Sequence, residues 1–352
     1  VMKLNTSEIG ILIAVRMKSS RLKSKALSKI IGKPLIAHLI ERMKRVKNAS
    51  KIILCTSEHR DDRVLLDEAD KNNIDKFAGH ELDVMKRFID AGDKHKLNYI
   101  VRVTGDNPLT DPDNIDRMIH EHIENNYDFT KSEFLPLGVN AEVVSLTTLK
   151  EAHRMALDPS LSEYMTSYLK RPDHFNVHTI ENLDPFFDER ALIRLTVDFD
   201  EDLKVMNHIY SALYPVDPNF TTRDVLKFLD KNPHILDINK NMLEIPLPKI
   251  KFRGEKKYDK NLVIIGKYFN DFVRNEIKKI YDVDKYEIIG FLHYNVNLQY
   301  SLVDGIPTLG DVQNIERIKI KAEYFYNAFK EVDLNLKFSK LMIEQGYIEV
   351  KI

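Results

Sequence analysis

What most limits the architecture of this chain is the alternation, over its first 125 residues, of short β-branched apolar runs with amphipathic stretches. Ile9-Gly-Ile-Leu-Ile-Ala-Val15 is too short for a helix and reads as a buried strand. Gly32 and Pro34 punctuate the chain before Leu35 to Arg45, whose apolar positions 35, 36, 39, 40 and 43 make one helical face. Lys51 to Thr56 is the next strand and Asp61 to Asn72 the next helix. Tyr99 to Thr104 is a third strand that runs into Gly105-Asp106-Asn107-Pro108, and Asp111-Pro112 opens a helix reaching Asn125. Strands that alternate with helices in this way predict a three-layer α/β fold around a mostly parallel sheet.

Between about 126 and 195 the pattern changes. Strand-like runs at Ala141 to Ser145 and Phe175 to Ile180 are separated by helices and acidic turns, the profile of an edge region capping a sheet. Arg194 to Asp198 returns as a strand, and Glu201 to Tyr214 follows as a helix. Pro246, Pro248, Gly254 and a run of lysines then mark a boundary, so the expected organisation is a first domain over 1–245, a linker over 246–260 and a second domain over 261–352. In the second domain, strands at Asn261 to Gly266 and Tyr286 to Leu292 frame a smaller βαβ unit, with a helix expected from Ile315 to Val332.

Composition narrows the function classes. The 352 residues are 43% hydrophobic and 30% charged, enough to bury a large core and unlike disordered or fibrous chains. A net charge of -1 argues against a dedicated nucleic-acid binder. The single cysteine, Cys55, excludes an internal disulfide and a cysteine zinc cluster, and its apolar neighbours make it a buried hydrophobe. No apolar stretch approaches the ~18–20 residues of a membrane span, and the first residues lack a signal-peptide core, so a cytoplasmic protein with no membrane partner is expected.

The neutral total conceals a concentration of charge. From Arg16 to Lys51 there are twelve basic residues and one acid, Glu41, a local excess of +11 directly after the first strand. In a parallel α/β sheet, ligands bind beyond the carboxyl ends of the strands, where Arg16 to Lys25 leaves the first strand. Ser19, Ser20, Arg21 and Lys25 offer the hydroxyl, guanidinium and ammonium donors that hold a polyphosphate. Lys44, Arg45 and Lys47 read instead as a solvated helix face. No P-loop and no Gly-x-Gly-x-x-Gly after a strand is present in the first domain.

Two carboxylates complement the basic loop. Asp106 follows the third strand after Gly105, and Asp198 ends the later strand. Mg²⁺ takes hard oxygen ligands, often one or two carboxylates plus substrate phosphates. Asp106 and Asp198 suit that role, whereas Asp111 and Asp200 suit helix capping.

Ile13-Ala-Val-Arg-Met-Lys-Ser-Ser-Arg-Leu-Lys-Ser-Lys-Ala-Leu27, with Ile31-Gly-Lys-Pro-Leu-Ile-Ala-His-Leu-Ile-Glu-Arg42, resembles the signature of the CMP-sugar synthetases. These are the acylneuraminate and KDO cytidylyltransferases and, closest, the spore coat polysaccharide biosynthesis branch. Val101 to Leu109 looks like that family's second motif and Arg194 to Leu203 like its third, while Asp83 to Arg87 and Gly138 to Glu142 match weaker positions. The resemblance spans about residues 9 to 240. It implies a Rossmann-like nucleotide-diphospho-sugar transferase fold, a homodimer, and attack by a sugar oxygen on the α-phosphorus of CTP, giving a CMP- or CDP-sugar and pyrophosphate.

Carried over by position, the resemblance assigns Ala14, Arg16, Met17, Ser19, Ser20, Arg21, Lys25, Asp83, Arg87, Thr104, Gly105 and Asp106 to the nucleotide. Arg21, Lys25 and Asp106 are the catalytic set, and Asp106 and Asp198 the Mg²⁺ ligands. Asn140, Glu142, Glu163 and Thr166 fall in the acceptor region. Family members carry glycine at the positions of Lys18 and Ser24 and proline at Lys23. The second domain resembles more weakly the N-terminal half-Rossmann domain of sugar acyltransferases and is expected to be accessory. A GT-A-type glycosyltransferase using Asp198 and Asp200 as an Asp-x-Asp site, and a degenerate nucleotide-binding scaffold, are the alternative readings. A triphosphate clamp such as Arg16 to Lys25 separates the first reading from the glycosyltransferase.

Overall fold

The computed structural model describes residues 6–18, 22, 24–188, 190–242, 250–255, 258, 260–267, 271–283, 285–294, 302–303, 306–318, 320 and 322–351. The chain divides into two compact units, Val1–Arg154 with His174–Met242, and Met155–Asp173 with Leu243–Ile352. The segment Met155–Asp173 therefore groups with the second unit.

In the first unit, strands β1 (Ile9–Ala14), β2 (Lys29–Ile30), β3 (Lys33–Pro34), β4 (Lys51–Ser57), β5 (Asp75–Gly79), β6 (Tyr99–Thr104), β7 (Phe129–Ser132), β8 (Glu142–Ser145) and β9 (Val177–Ile180) alternate with helices. The helices are α1 (Leu35–Met43), α2 (Arg63–Lys71), α3 (Val84–His95), α4 (Pro112–Glu124) and α5 (Leu146–Met155); after α6 (Met165–Leu169) of the second unit come α7 (Asp200–Leu213) and α8 (Thr222–Lys231). Seven strands make one sheet in the order β5-β4-β1-β6-β8-β7-β9, and β2 and β3 pair as a separate short ribbon. The four strands β5, β4, β1 and β6 are parallel, while β8 is antiparallel to both β6 and β7. The expected parallel sheet with an edge region is thus observed.

β1 lies between two parallel neighbours, which explains its unbroken apolar sequence: Ile9, Ile11, Leu12 and Ile13 are all buried. One face of the sheet packs against Ile36, Leu39, Ile40 and Met43 of α1 and Ile115, Met118 and Ile119 of α4. Cys55 is fully buried in β4, and burial pushes its thiol up, as its apolar setting foretells.

Two local expectations change here. Arg194 to Asp198 is extended but lies outside the sheet, held by one parallel bridge from Arg194 to Leu137. Asp111 caps α4 by accepting from the Asn114 amide at 2.8 Å, but Asp200 does not cap α7. That task falls to Asp202, whose carboxylate reaches back to the amides of Asp198 and Phe199 at 2.9 and 3.0 Å.

The second unit carries its own sheet. Strands β10 (Lys260–Ile265), β11 (Tyr286–His293), β12 (Leu302–Val303), β13 (Ile306–Asp311), β14 (Tyr324–Asn327) and β15 (Ile348–Val350) are ordered β12-β13-β11-β10-β14-β15, with helices α9 (Asp271–Val283) and α10 (Val332–Glu344). Among the described residues, every pairing in this sheet but β12 with β13 is parallel. The expected helix from Ile315 to Val332 is replaced by β14, because Tyr324, Phe325 and Tyr326 are aromatic residues that suit a half-buried pleat. Among the described residues, no helix is long and apolar enough to cross a membrane.

Candidate active site

The end of β1 sets the site. Beyond Ala14 the Val15 amide still donates to Cys55 O at 3.1 Å, and the Met17 amide donates to Asp62 Oδ1 at 2.7 Å. Asp62 is buried and also accepts from the Ser57 hydroxyl. The loop closes where the Ser24 amide meets Met17 O at 3.4 Å, and a single 3₁₀ turn over Lys25–Leu27 follows. Ser24 stands at φ 56°, a left-handed conformation that costs an L-residue about 1 kcal/mol and costs glycine nothing. That accounts physically for glycine at this position in the resembled family.

Lys25 is where the loop meets the carboxylates. Its ammonium donates to Asp106 Oδ2 at 2.6 Å and to Asp198 Oδ1 at 2.9 Å. Two backbone bonds bring these acids together. The Gly105 amide donates to Ala14 O at 2.8 Å, and the Val197 amide donates to Asp106 O at 3.0 Å. Glycine is required at 105, since a Cβ there would stand 2.7 Å from Val15 Cβ.

The electrostatics are mutually supporting. Burial alone would raise the Asp106 carboxyl, but the Lys25 ammonium and the Thr104 hydroxyl hold it below the usual carboxylate range. Burial likewise opposes the Lys25 charge, and Asp106 and Asp198 overcome it, so the ammonium is held above its ordinary value. Asp198 has a second cation, the Arg194 guanidinium at 3.3 Å, which is itself bound fork to fork by Asp202 at 2.8 Å on both arms. Asn239 completes this cluster by donating to Asp202 Oδ1 at 3.0 Å.

The other sequence-derived candidates divide by position. Met17, Thr104 and Gly105 flank the Lys25 cluster, Arg16 lies within electrostatic reach of Arg87, and Ala14 ends β1. Ser19, Ser20, Arg21 and Lys23 lie outside the described residues. Asp83 caps α3 by accepting from the Lys86 amide at 2.9 Å and meets His153 Nε2 at 2.7 Å. Arg87 is buried and donates to the carbonyls of His80 and Glu81, within electrostatic reach of Asp62 and Arg16. In the acceptor group, Glu142 pairs with Arg102 at 2.9 Å and Asn140 accepts from the Ser132 hydroxyl at 2.6 Å. Glu163 and Thr166 lie in Met155–Asp173, within the second unit. Asp200 is exposed on the first turn of α7 while Asp198 is buried, so the two do not present a joint Asp-x-Asp face.

Sequence reasoning left Asp62, Arg194, Asp202 and Asn239 without roles. Arg194 and Asp202 stand four residues either side of Asp198, and that symmetrical spacing is the signal that was available. Asp62 and Asn239 carry no comparable local pattern.

Residues 10–227 match the family model described as Cytidylyltransferase. An uncharacterized protein of Methanocaldococcus jannaschii is 34% identical over 235 residues, covering 66% of this chain and 95% of that protein. The spore coat polysaccharide biosynthesis protein SpsF of Bacillus subtilis is 29% identical over 233 residues, covering 64% of this chain and 96% of SpsF. Among solved structures, a cytidylyltransferase from Leptospira borgpetersenii matches with a TM-score of 0.61 and 27% identity, over 67% of this chain and 98% of that one.

Proposed function

Because this chain belongs to the cytidylyltransferase family, we propose that it transfers the cytidylyl group of CTP to an oxygen of a sugar acid or sugar phosphate for surface polysaccharide synthesis. In this reaction the acceptor oxygen bonds to the α-phosphorus, the bond between the α-phosphorus and the bridging oxygen breaks, and pyrophosphate leaves with that electron pair. The observation that carries the reading is the Lys25 ammonium bridging Asp106 and Asp198 beside the basic loop.

The residues of this chain divide the work. Arg16 and Lys25, with Ser19, Ser20 and Arg21 by family position, hold the triphosphate and offset the negative charge that spreads over its oxygens. Asp106 and Asp198 fit a Mg²⁺ ion, because hard carboxylate oxygens from two separate chain segments already converge on one cationic group. Such an ion would neutralise phosphate oxygens and lower the pKa of a bound hydroxyl. Arg194 and Asp202 keep Asp198 in place, and Thr104 does the same for Asp106. Asn140 and Glu142 belong to the acceptor side, and homodimeric assembly goes with the family reading.

Pyrophosphate release measured with each of the four nucleoside triphosphates, Mg²⁺ and a panel of sugar acids and sugar phosphates tests the proposal. Release with CTP and one acceptor class is the expected result. Failure of CTP across the whole panel, with transfer from a nucleotide-sugar instead, would establish a glycosyltransferase.

A further inference from the structure

The last backbone bond from β1 to β4 runs from the Val15 amide to Cys55 O at 3.1 Å. Bonds from one strand of a parallel ladder recur every second residue, so the next rung would join the Met17 amide to the Ser57 carbonyl. Instead the Met17 amide donates to Asp62 Oδ1 at 2.7 Å, and the Ser57 hydroxyl donates to Asp62 Oδ2. A carboxylate thus stands where that rung would form. β4 keeps its other edge there, since the Glu58 amide donates to Gly79 O of β5 at 2.9 Å. The departure from the ladder is therefore confined to the β1 side, where the basic loop leaves the sheet.

Asp62 takes this position in place of a local role. It occupies the N-cap of α2, where an aspartate ordinarily accepts from an amide of the first helical turn. Among the described residues its side chain makes no such bond in α2, and it reaches instead across 45 residues of sequence to Met17. It is 3% exposed. Its charge is compensated by the Met17 amide, the Ser57 hydroxyl and the buried Arg87 guanidinium within electrostatic reach.

Met17 is the junction between this carboxylate and the phosphate-binding loop. Its amide is held by Asp62, its carbonyl accepts from the Ser24 amide at 3.4 Å, and its side chain packs against the core of the first unit. The bond from Ser24 is long, and Ser24 holds a left-handed conformation that persists only when its surroundings fix it. The short, charge-assisted bond at the Met17 amide is the stronger of the two. Lys25 follows Ser24 directly, so the point from which its ammonium reaches Asp106 and Asp198 depends on Met17, and Met17 depends on Asp62.

We propose that Asp62 is a positioning residue for the nucleotide site, its carboxylate replacing one rung of the β1–β4 ladder and so setting where the basic loop leaves β1 and how Lys25 arrives at the two aspartates. Its effect on nucleotide binding rests on the reading of this loop as the seat of the CTP triphosphate. Asp62 touches no substrate in this role and acts through Met17 and Lys25.

Asp62→Ala and Asp62→Asn test the assignment in the full chain with two readouts. One is calorimetric titration of CTP, and the other is the rate of tryptic cleavage after Arg16, Lys18 and Lys25 without any ligand. Asp62→Ala removes the acceptor, so CTP affinity is expected to fall about tenfold or more, the scale of one charge-assisted bond, and cleavage at the three sites to quicken by a similar factor. Cleavage elsewhere should keep the parental rate. Asparagine still accepts from the Met17 amide, so Asp62→Asn should hold both readouts within about threefold of the parent. A rise in cleavage spread over the whole chain, with no excess at the three sites, would make Asp62 a residue of the fold alone and overturn the proposal. CTP bound by Asp62→Ala as tightly as by the parent would do the same. If Asp62→Ala does not fold, Ser57→Ala, which keeps the charge and removes one support of the carboxylate, takes its place, and unchanged cleavage at the three sites then counts against Asp62. Because cleavage needs no nucleotide, the two readings separate: a parent that binds no CTP removes the triphosphate reading, while the cleavage rates still uphold or overturn Asp62 as the anchor of the loop.

Discussion

Lys25 Nζ donates to Asp106 Oδ2 at 2.6 Å across 81 residues of sequence, joining the loop after β1 to the turn after β6. Replacing Lys25 by alanine removes the ammonium that bridges the Asp106 and Asp198 carboxylates and that a triphosphate would meet. Charge-assisted hydrogen bonds contribute about 1.5–3 kcal/mol, so CTP affinity is expected to fall by roughly ten- to a hundredfold. With the lysine gone, burial at Asp106 is opposed only by hydrogen bonds such as that of the Thr104 hydroxyl, and the carboxyl moves upward. Calorimetric CTP titration and carboxyl NMR titration read the two effects separately; unchanged CTP affinity would remove Lys25 from the phosphate site.

Asp106→Asn keeps the side-chain shape and its contact with Thr104 but removes the charge. The expected outcome is a loss of pyrophosphate release by about 10²–10³ or more, the scale seen when one electrostatic contact to a developing charge is deleted. The unfolding midpoint should move little by comparison, since Asn can still accept from Lys25. A variant that turns over at the parental rate would show that this carboxylate neither binds metal nor supports transfer.

Gly138 controls the position of Asp198 from a distance. Its φ is +91°, and a Cβ there would stand 2.3 Å from Thr196 N and 2.5 Å from Leu195 C, both backbone atoms that cannot swing aside. The close approach exists because Leu195 N donates to Leu137 O at 2.7 Å and Leu137 N to Ile193 O at 3.1 Å. Gly138→Ala is therefore expected to destabilise by about 2–4 kcal/mol and to push residues 194–198 away from Lys25. Urea unfolding and CTP turnover measured on the same preparation should both decline; a stable variant with normal turnover would mean that this segment yields easily.

The sheet and its ligand edge were legible because β1, at the centre of the parallel strands, is buried on both faces, which forces a continuous apolar run of strand length, and because β4 and β6 carry shorter apolar runs beside it. Lys25, Asp106 and Asp198 were legible because each sits where a strand or extended run ends, and such positions carry ligands in parallel sheets. The supporting groups were harder to see. Asp62 reaches Met17 over 45 residues, and Asn239 reaches Asp202 over 37, through contacts that leave no periodic trace. Arg45 shows a different failure: its place after the α1 helical face reads as solvated, yet the chain before α8 folds across it, so that it lines a cavity with the buried Arg42. Arg194 to Asp198 has the composition of a strand, but a single bridge to Leu137 pins it, and no pattern within five residues records that.

His122 gives the chain a pH dependence independent of the site. It is fully buried on α4, with Nδ1 2.9 Å from Thr130 Oγ1 and its ring edge-on to Tyr99. Burial pushes its pKa down to about 4, against a smaller opposing pull from Asp128. In the unfolded chain the imidazole titrates near ~6.5. Above that value both states are neutral and His122 contributes no slope. Between 6.5 and 4 the unfolded state binds a proton that the folded state refuses, so stability falls as the pH is lowered, by about 1.4 kcal/mol per unit and about 3 kcal/mol across the window. His38 and His95 are lowered by burial as well and add slope of the same sign. Comparison with His122→Gln isolates the one residue, because the other histidines cancel in the difference. Denaturant unfolding at half-unit steps from pH 7 to pH 4 should show the parent losing stability faster than the variant, and parallel curves would mean that His122 takes up its proton in the folded state without penalty.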